Sequence, residues 1–117
     1  MEIKAAVAAL AALAQDTRLE IFRLLVQQGP AGLPAGDVAE RLGVPAATLS
    51  FHLSQLRHVG LLLSRRDGRR IVYAADYARM NALLAYLTEN CCRPEAPQPV
   101  AFERRKTNGT ADTRDRS

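Results

Sequence analysis

The chain has 117 residues, of which 48% are hydrophobic and 5% aromatic, with no Trp. That length holds one domain with one core, and apolar content drawn largely from Ala, Leu and Val favours packed helices over a sandwich of strands. A formal net charge of +4 inclines a small domain toward polyanions, and no apolar run approaches the roughly 20 residues that cross a bilayer.

Residues 5–14 predict a first helix, with Ile3, Val7, Leu10 and Ala14 on one face at helical spacing. Its many alanines would let another helix approach closely. The run leads into Asp16, Thr17 and Arg18 and on to a further apolar segment, so it reads as a mature helix of a cytoplasmic protein and not as a signal peptide. Thr17-Arg18-Leu19-Glu20 has the form of a capping box, with Thr17 as cap and Glu20 reaching back. The helix that it opens carries Ile21, Phe22, Leu24, Leu25 and Val26, and Gly29-Pro30 stops it. The loop 31–34 follows.

A short helix is expected over residues 35–42, with Val38, Ala39 and Leu42 inward and Gly43 at its end. Val44-Pro45 leads into a helix over about residues 46–59, whose core stripe is Leu49, Leu53 and Leu56. Two short helices joined by a tight Gly-containing turn form a helix-turn-helix. After Gly60 the period becomes alternating. Leu61, Leu63 and Arg65 share one face of a candidate strand, Asp67-Gly68 signals a hairpin, and Arg70 to Tyr73 returns with Ile71 and Tyr73 on one face. A hairpin straight after a recognition helix is a wing. Asp76 or Ala75 opens a last helix over about residues 77–90, where Tyr77, Met80, Leu84, Leu87 and Cys91 trace a seam near period 3.5 and Leu83 widens it. The expected fold is therefore mainly α with a small β-hairpin, a winged helix-turn-helix. Residues 1–92 are expected to form this domain, for DNA binding and dimerisation, and 93–117, opened by Pro94, Pro97 and Pro99, a flexible tail.

Off the Leu stripe or beside it, the recognition helix carries Ala46, Ala47, Thr48, Ser50, Phe51, His52 and Gln55. Small residues at its start let the backbone sit deep in a major groove, hydroxyls and amides bond base edges, and Phe51 suits a thymine methyl. Arg65, Arg66, Arg69 and Arg70 surround the hairpin turn. Four guanidinium groups there repel one another, and a phosphate backbone or a narrow minor groove relieves that repulsion.

Residues 3–92 resemble the ArsR/SmtB family of metal-responsive repressors. The resemblance is carried by Gln15-Asp16-Thr17-Arg18-Leu19-Glu20-Ile21, by Ser50-Phe51-His52-Leu53-Ser54-Gln55-Leu56, by Gly60-Leu61-Leu62 and by the Arg-rich wing. It implies a homodimer built from the first and last helices, bound to a palindromic operator and released by an inducer. Many family members have His where Phe51 stands, so the family's base preference does not carry over at that position, and His52 is as suited to holding the helix as to reading a base.

The two cysteines, Cys91 and Cys92, are adjacent, which argues against a stapled secreted fold. Neighbouring α-carbons lie about 3.8 Å apart, whereas disulfides prefer about 4.4–6.8 Å, so a ring between them is strained. A large thiophilic atom bridges two such sulfurs without that strain, provided the helix unwinds locally, because successive helical side chains diverge by about 100°. The helix dipole opposes thiolate formation here and Arg93 favours it.

The family's zinc site on the last helix uses paired Asp and His, and its Cys-x-Cys site lies on the first helix of the recognition motif; neither pattern is present. Tyr86-Leu87-Thr88-Glu89-Asn90-Cys91-Cys92 resembles instead the arsenic-responsive branch with thiols at the end of the last helix. That resemblance implies a trivalent arsenical, arsenite or methylarsenite, as inducer, with no constitutive cofactor. Arsenite takes three sulfurs and an organoarsenical needs two, so a lone pair of cysteines points to the latter. The alternatives are a thiol-redox regulator on the same fold and a non-DNA interaction domain. Catalysis has little support, since the two His residues, His52 and His58, both lie on the recognition helix, and the sequence has no phosphate-cradling Gly loop or metal motif.

Overall fold

The fold is given by a computed structural model that describes residues 1–91. The elements run α1 (Ile3–Leu13), α2 (Asp16–Gln28), β1 (Leu33–Pro34), α3 (Ala35–Leu42), α4 (Ala46–His58), β2 (Leu62–Asp67), β3 (Arg70–Ala75) and α5 (Tyr77–Leu87). The expected winged helix-turn-helix is the observed one, with one addition: β1 joins the hairpin, giving an antiparallel sheet of order β1-β3-β2. Leu33 and Pro34 pair with Tyr73 and Val72, so the predicted 31–34 loop is in part a strand. The tail 93–117 and Cys92 lie outside the described residues.

The helices follow from their apolar spacing. Leu49, Leu53 and Leu56 of α4 are all buried, together with Ile21, Leu25, Val38 and Leu61. In α1 the inward residues are Ala6, Ala9 and Ala12; with only methyl groups between them and the core, the helix lies close against the body. Its larger apolar residues face out, with Ile3 64%, Val7 58% and Leu10 41% exposed. The same division marks α5, where Leu83 is buried while Leu84 and Leu87 are exposed.

Three local expectations need correction. The cap of α2 is Gln15, whose Oε1 accepts from the Arg18 backbone N–H at 2.9 Å; Thr17 already lies inside the helix, so the Thr17–Glu20 box is not used. Asp16 occupies the first turn instead, where a carboxylate favours the positive helix end. In the hairpin, Leu62, Val72, Ala74 and Ala75 are buried, while Leu63 and Ile71 are exposed. The turn is centred one residue later than expected, since Asp67 pairs with Arg70 and leaves Gly68 and Arg69 at the centre. Gly68 has φ 66, as glycine does at the first central position of a type II′ turn. Finally, α5 stops at Leu87 and not near Asn90.

Two side chains tie the helices together. The Tyr77 hydroxyl donates to the Val26 carbonyl at 2.9 Å, which joins the start of α5 to the otherwise unsatisfied last turn of α2. Arg18 donates from Nε to the Ala12 carbonyl at 2.6 Å and from Nη1 to His52 Nδ1 at 3.3 Å. His52 is the buried polar residue of the core, 9% exposed. Burial first, and the charge of Arg18 second, hold its pKa below the ordinary 6.5.

Three stability predictions come from this packing. Gly32 has φ +75, and a Cβ there would overlap the Tyr73 carbonyl oxygen, so Gly32→Ala should cost about 1–3 kcal/mol. Gly36 lies in α3 with open space around it, so Gly36→Ala should instead add roughly 0.5–1 kcal/mol; urea unfolding of both variants reads the opposite signs. The unfolded chain protonates His52 near the ordinary value, before the folded form does. Its contribution is therefore full above about pH 6.5 and is lost as pH falls through the depressed folded value. The urea midpoint should drop on acidification, and drop less in His52→Asn.

Candidate functional site

Burying the Leu stripe of α4 fixes which residues that helix shows to solvent. Ala46, Ala47, Thr48, Ser50, Phe51 and Gln55 are exposed, as are Ser54 and Arg57, which share the outward surface and were not singled out from sequence. Their signal was available, because both fall off the 49–53–56 stripe. Phe51 is 57% exposed, a large apolar ring kept on the surface of a polar helix face. His52, which the sequence suits equally to holding the helix and to reading a base, is turned into the core against Arg18 and is not among the exposed residues of that face. Its ring lies edge-on to Phe51, with centroids 5.6 Å apart and an interplanar angle of 63°.

The wing lies beside this helix. A cleft of about 420 Å³ is bounded by Ala46 and Ser50 of α4, Gly36 of α3, and Arg70, Ile71 and Tyr73 of β3, so the recognition helix and the wing share one surface. All four wing arginines are exposed. Arg65 donates to the Ala31 carbonyl at 3.2 Å and Arg70 pairs with Asp67 at 3.4 Å. Arg66 and Arg69 flank the turn with no ion pair among the described residues. Two unneutralised cations at the tip of a hairpin, next to a neutral hydroxyl- and amide-bearing helix, separate the work of phosphate contact from that of base contact.

The thiol segment lies at the other end of the chain. After α5, Thr88 Oγ1 donates to the Leu84 carbonyl at 2.9 Å, and Asn90 takes φ 67, the left-handed conformation that Asn tolerates. The Cys91 N–H then donates to the Thr88 carbonyl at 2.9 Å. Cys91 is therefore exposed and already outside the helix, four residues beyond Leu87. The local unwinding that joint ligation requires is present on the Cys91 side. Among the described residues, no three His, Cys, Asp or Glu gather as a metal site, and no helix is long and apolar enough to cross a membrane.

Comparison with known proteins agrees with this geometry. A family model described as a helix-turn-helix domain matches residues 13–65, from the end of α1 through α4 into β2. The HTH-type transcriptional regulator YgaV of Escherichia coli is 36% identical over 87 residues, covering 74% of this chain and 86% of that protein. An ArsR-like transcriptional regulator from Rhodococcus has a similar structure, with a TM-score of 0.65 and 34% identity over 73% of this chain and 77% of that one. A homodimeric winged helix-turn-helix DNA-binding domain from Mycobacterium bovis, a possible ArsR-family regulator, gives a TM-score of 0.60 at 32% identity, covering 73% of this chain and 79% of that one. The outward polar face of α4, the cationic wing and these relatives together show that the chain belongs to the ArsR family of winged helix-turn-helix, DNA-binding transcriptional regulators.

Proposed function

We propose that the chain is a homodimeric repressor, released from a palindromic operator when a trivalent arsenical bridges Cys91 and Cys92. The observation that carries the sensing half is the end of α5. The helix stops at Leu87, Asn90 reverses the backbone, and Cys91 is held exposed and out of helical register beside Cys92 in sequence. Two neighbouring thiolates leaving a helix can converge on one thiophilic atom, whereas a disulfide between them is strained. Two sulfurs complete the coordination of a methylarsenical, which already has one bond to carbon, and so methylarsenite is the favoured inducer. Each thiol displaces one hydroxide of the methylarsenical: an As–S bond forms, an As–O bond breaks, and the thiol proton leaves with the hydroxide as water.

The dimer half rests on uncovered apolar surface. Ile3, Val7 and Leu10 of α1 and Leu84 and Leu87 of α5 are exposed, and an apolar depression lined by Leu19, Val26, Met80 and Leu84 lies between α2 and α5. The Mycobacterium bovis relative is homodimeric. In a dimer built on these helices the thiols lie at the end of a subunit-joining element. An arsenical at that end weakens DNA binding to the extent that it binds the DNA-free arrangement more tightly.

A second reading, a thiol-redox regulator, is favoured by the exposure of Cys91. Anaerobic and peroxide-treated samples separate the two: release by methylarsenite without oxidant supports the arsenical, and release by peroxide alone, with an oxidised mass, supports redox sensing.

Cys91→Ser and Cys92→Ser should each bind operator like wild type and lose release by methylarsenite, as read by fluorescence anisotropy. Normal release from either variant places the sensor elsewhere, and an equal or better response to arsenite overturns the organoarsenical preference. For the DNA half, Arg66→Ala and Arg69→Ala should each weaken binding to all DNA sequences alike. Each should reduce the slope of log affinity against log salt by about 1.

A further inference from the structure

Arg18 is a half-buried guanidinium with no carboxylate partner among the described residues. Its side-chain bonds go instead to two other helices. Nε holds the Ala12 carbonyl, in the last turn of α1, where carbonyls lack helical partners and carry the negative end of the dipole. Nη1 holds Nδ1 of His52, in the middle of α4, while its own backbone N–H is bonded to the α2 cap. A single side chain thus joins the helix with the uncovered apolar face to the helix with the outward polar face.

The bond to His52 also fixes a chemical state. Arg only donates, so Nδ1 must carry its lone pair, and the ring is neutral with its proton on Nε2. Protonated His52 would lose the acceptor and set one cation against another. Arg18 is the charged group acting on His52; α1 contributes the Ala12 carbonyl through the same guanidinium, and no ion pair with an acid relieves either partner among the described residues. His52 adjoins Phe51 in sequence and meets its ring edge-on.

We propose that Arg18 is a positioning residue for DNA recognition: by gripping Ala12 of α1 and neutral His52 of α4 together, it sets the recognition helix relative to α1 and holds Phe51 outward toward the DNA. Leucine packing keeps α4 in the core but is non-directional. The Arg18–His52 bond adds direction, and it is made at the residue next to the exposed ring. The inference rests on α4 being the DNA-reading helix.

The test compares wild type with His52→Leu and His52→Asn, whose Oδ1 can accept near the place of Nδ1 and does not titrate. Operator affinity is measured by anisotropy from about pH 7.5 to about pH 5, with folding checked by circular dichroism and assembly by size exclusion. His52→Leu should fold and assemble as wild type yet bind operator about tenfold more weakly, the loss expected for a hydrogen bond to a charged group. His52→Asn should stay within about threefold of wild type at neutral pH and lose less affinity on acidification. The exposed His58 is common to all three proteins, so the difference between their profiles belongs to His52.

Wild-type affinity in His52→Leu overturns the proposal, as does an Asn variant that is as weak as the Leu variant or as acid-sensitive as wild type. If His52→Leu does not fold, the Asn profile alone decides. Failure of the wild type to bind any fragment of its own promoter overturns the DNA reading itself, which is a different result.

Discussion

The constraint on which the structure depends is the burial of one leucine stripe. Leu49, Leu53 and Leu56 occupy successive inward positions of α4 and are at most 2% exposed. Each such side chain contributes on the order of 1.5–3 kcal/mol when removed from water, so turning the helix about its axis is strongly opposed. Everything outward follows. The small and hydroxyl-bearing residues of its first turns, Phe51 and Gln55 are exposed because the leucines are not. Core and recognition surface are two sides of one helical period.

Helical period was legible in the sequence because it recurs over several turns; α3 was bounded correctly and α4 to within one residue at its C-terminal end. Strand phase was not. With Leu61, Leu62 and Leu63 in a row, alternation offers no unique inward set, and contact with the helices selects Leu61 and Leu62. The Gln15 cap was missed because Thr17 and Glu20 satisfy a stronger local pattern, and only the three-dimensional start of α2 decides between them. The short strand β1 was missed because two residues carry no period; its partner is β3, about forty residues on. At the site, the exposed polar residues of α4 and the wing arginines were readable from spacing alone. The burial of His52 was not, because its partner Arg18 lies in another helix, 34 residues away.

Charge is distributed in a similarly divided way. The one ion pair among the described residues, Arg70–Asp67, spans the wing turn with both side chains more than half exposed, and such a surface pair adds little to stability. Arg65 is tied to the loop before β1, which steadies the wing against the body. Arg66 and Arg69 remain as uncompensated charge at the tip. At the opposite end, the Tyr77 hydroxyl joins α5 to α2, the element that carries Arg18.

The short strand at the sheet margin has a bearing on solubility. Unprotected β-edges recruit further strands and seed aggregation. Here one margin is β1, two residues long and ending in Pro34, which lacks the amide hydrogen that strand addition needs. The other margin, β2, displays Arg65 and Arg66, whose like charges repel a second wing. Copies of the chain brought close together can therefore sit side by side without knitting their sheets together.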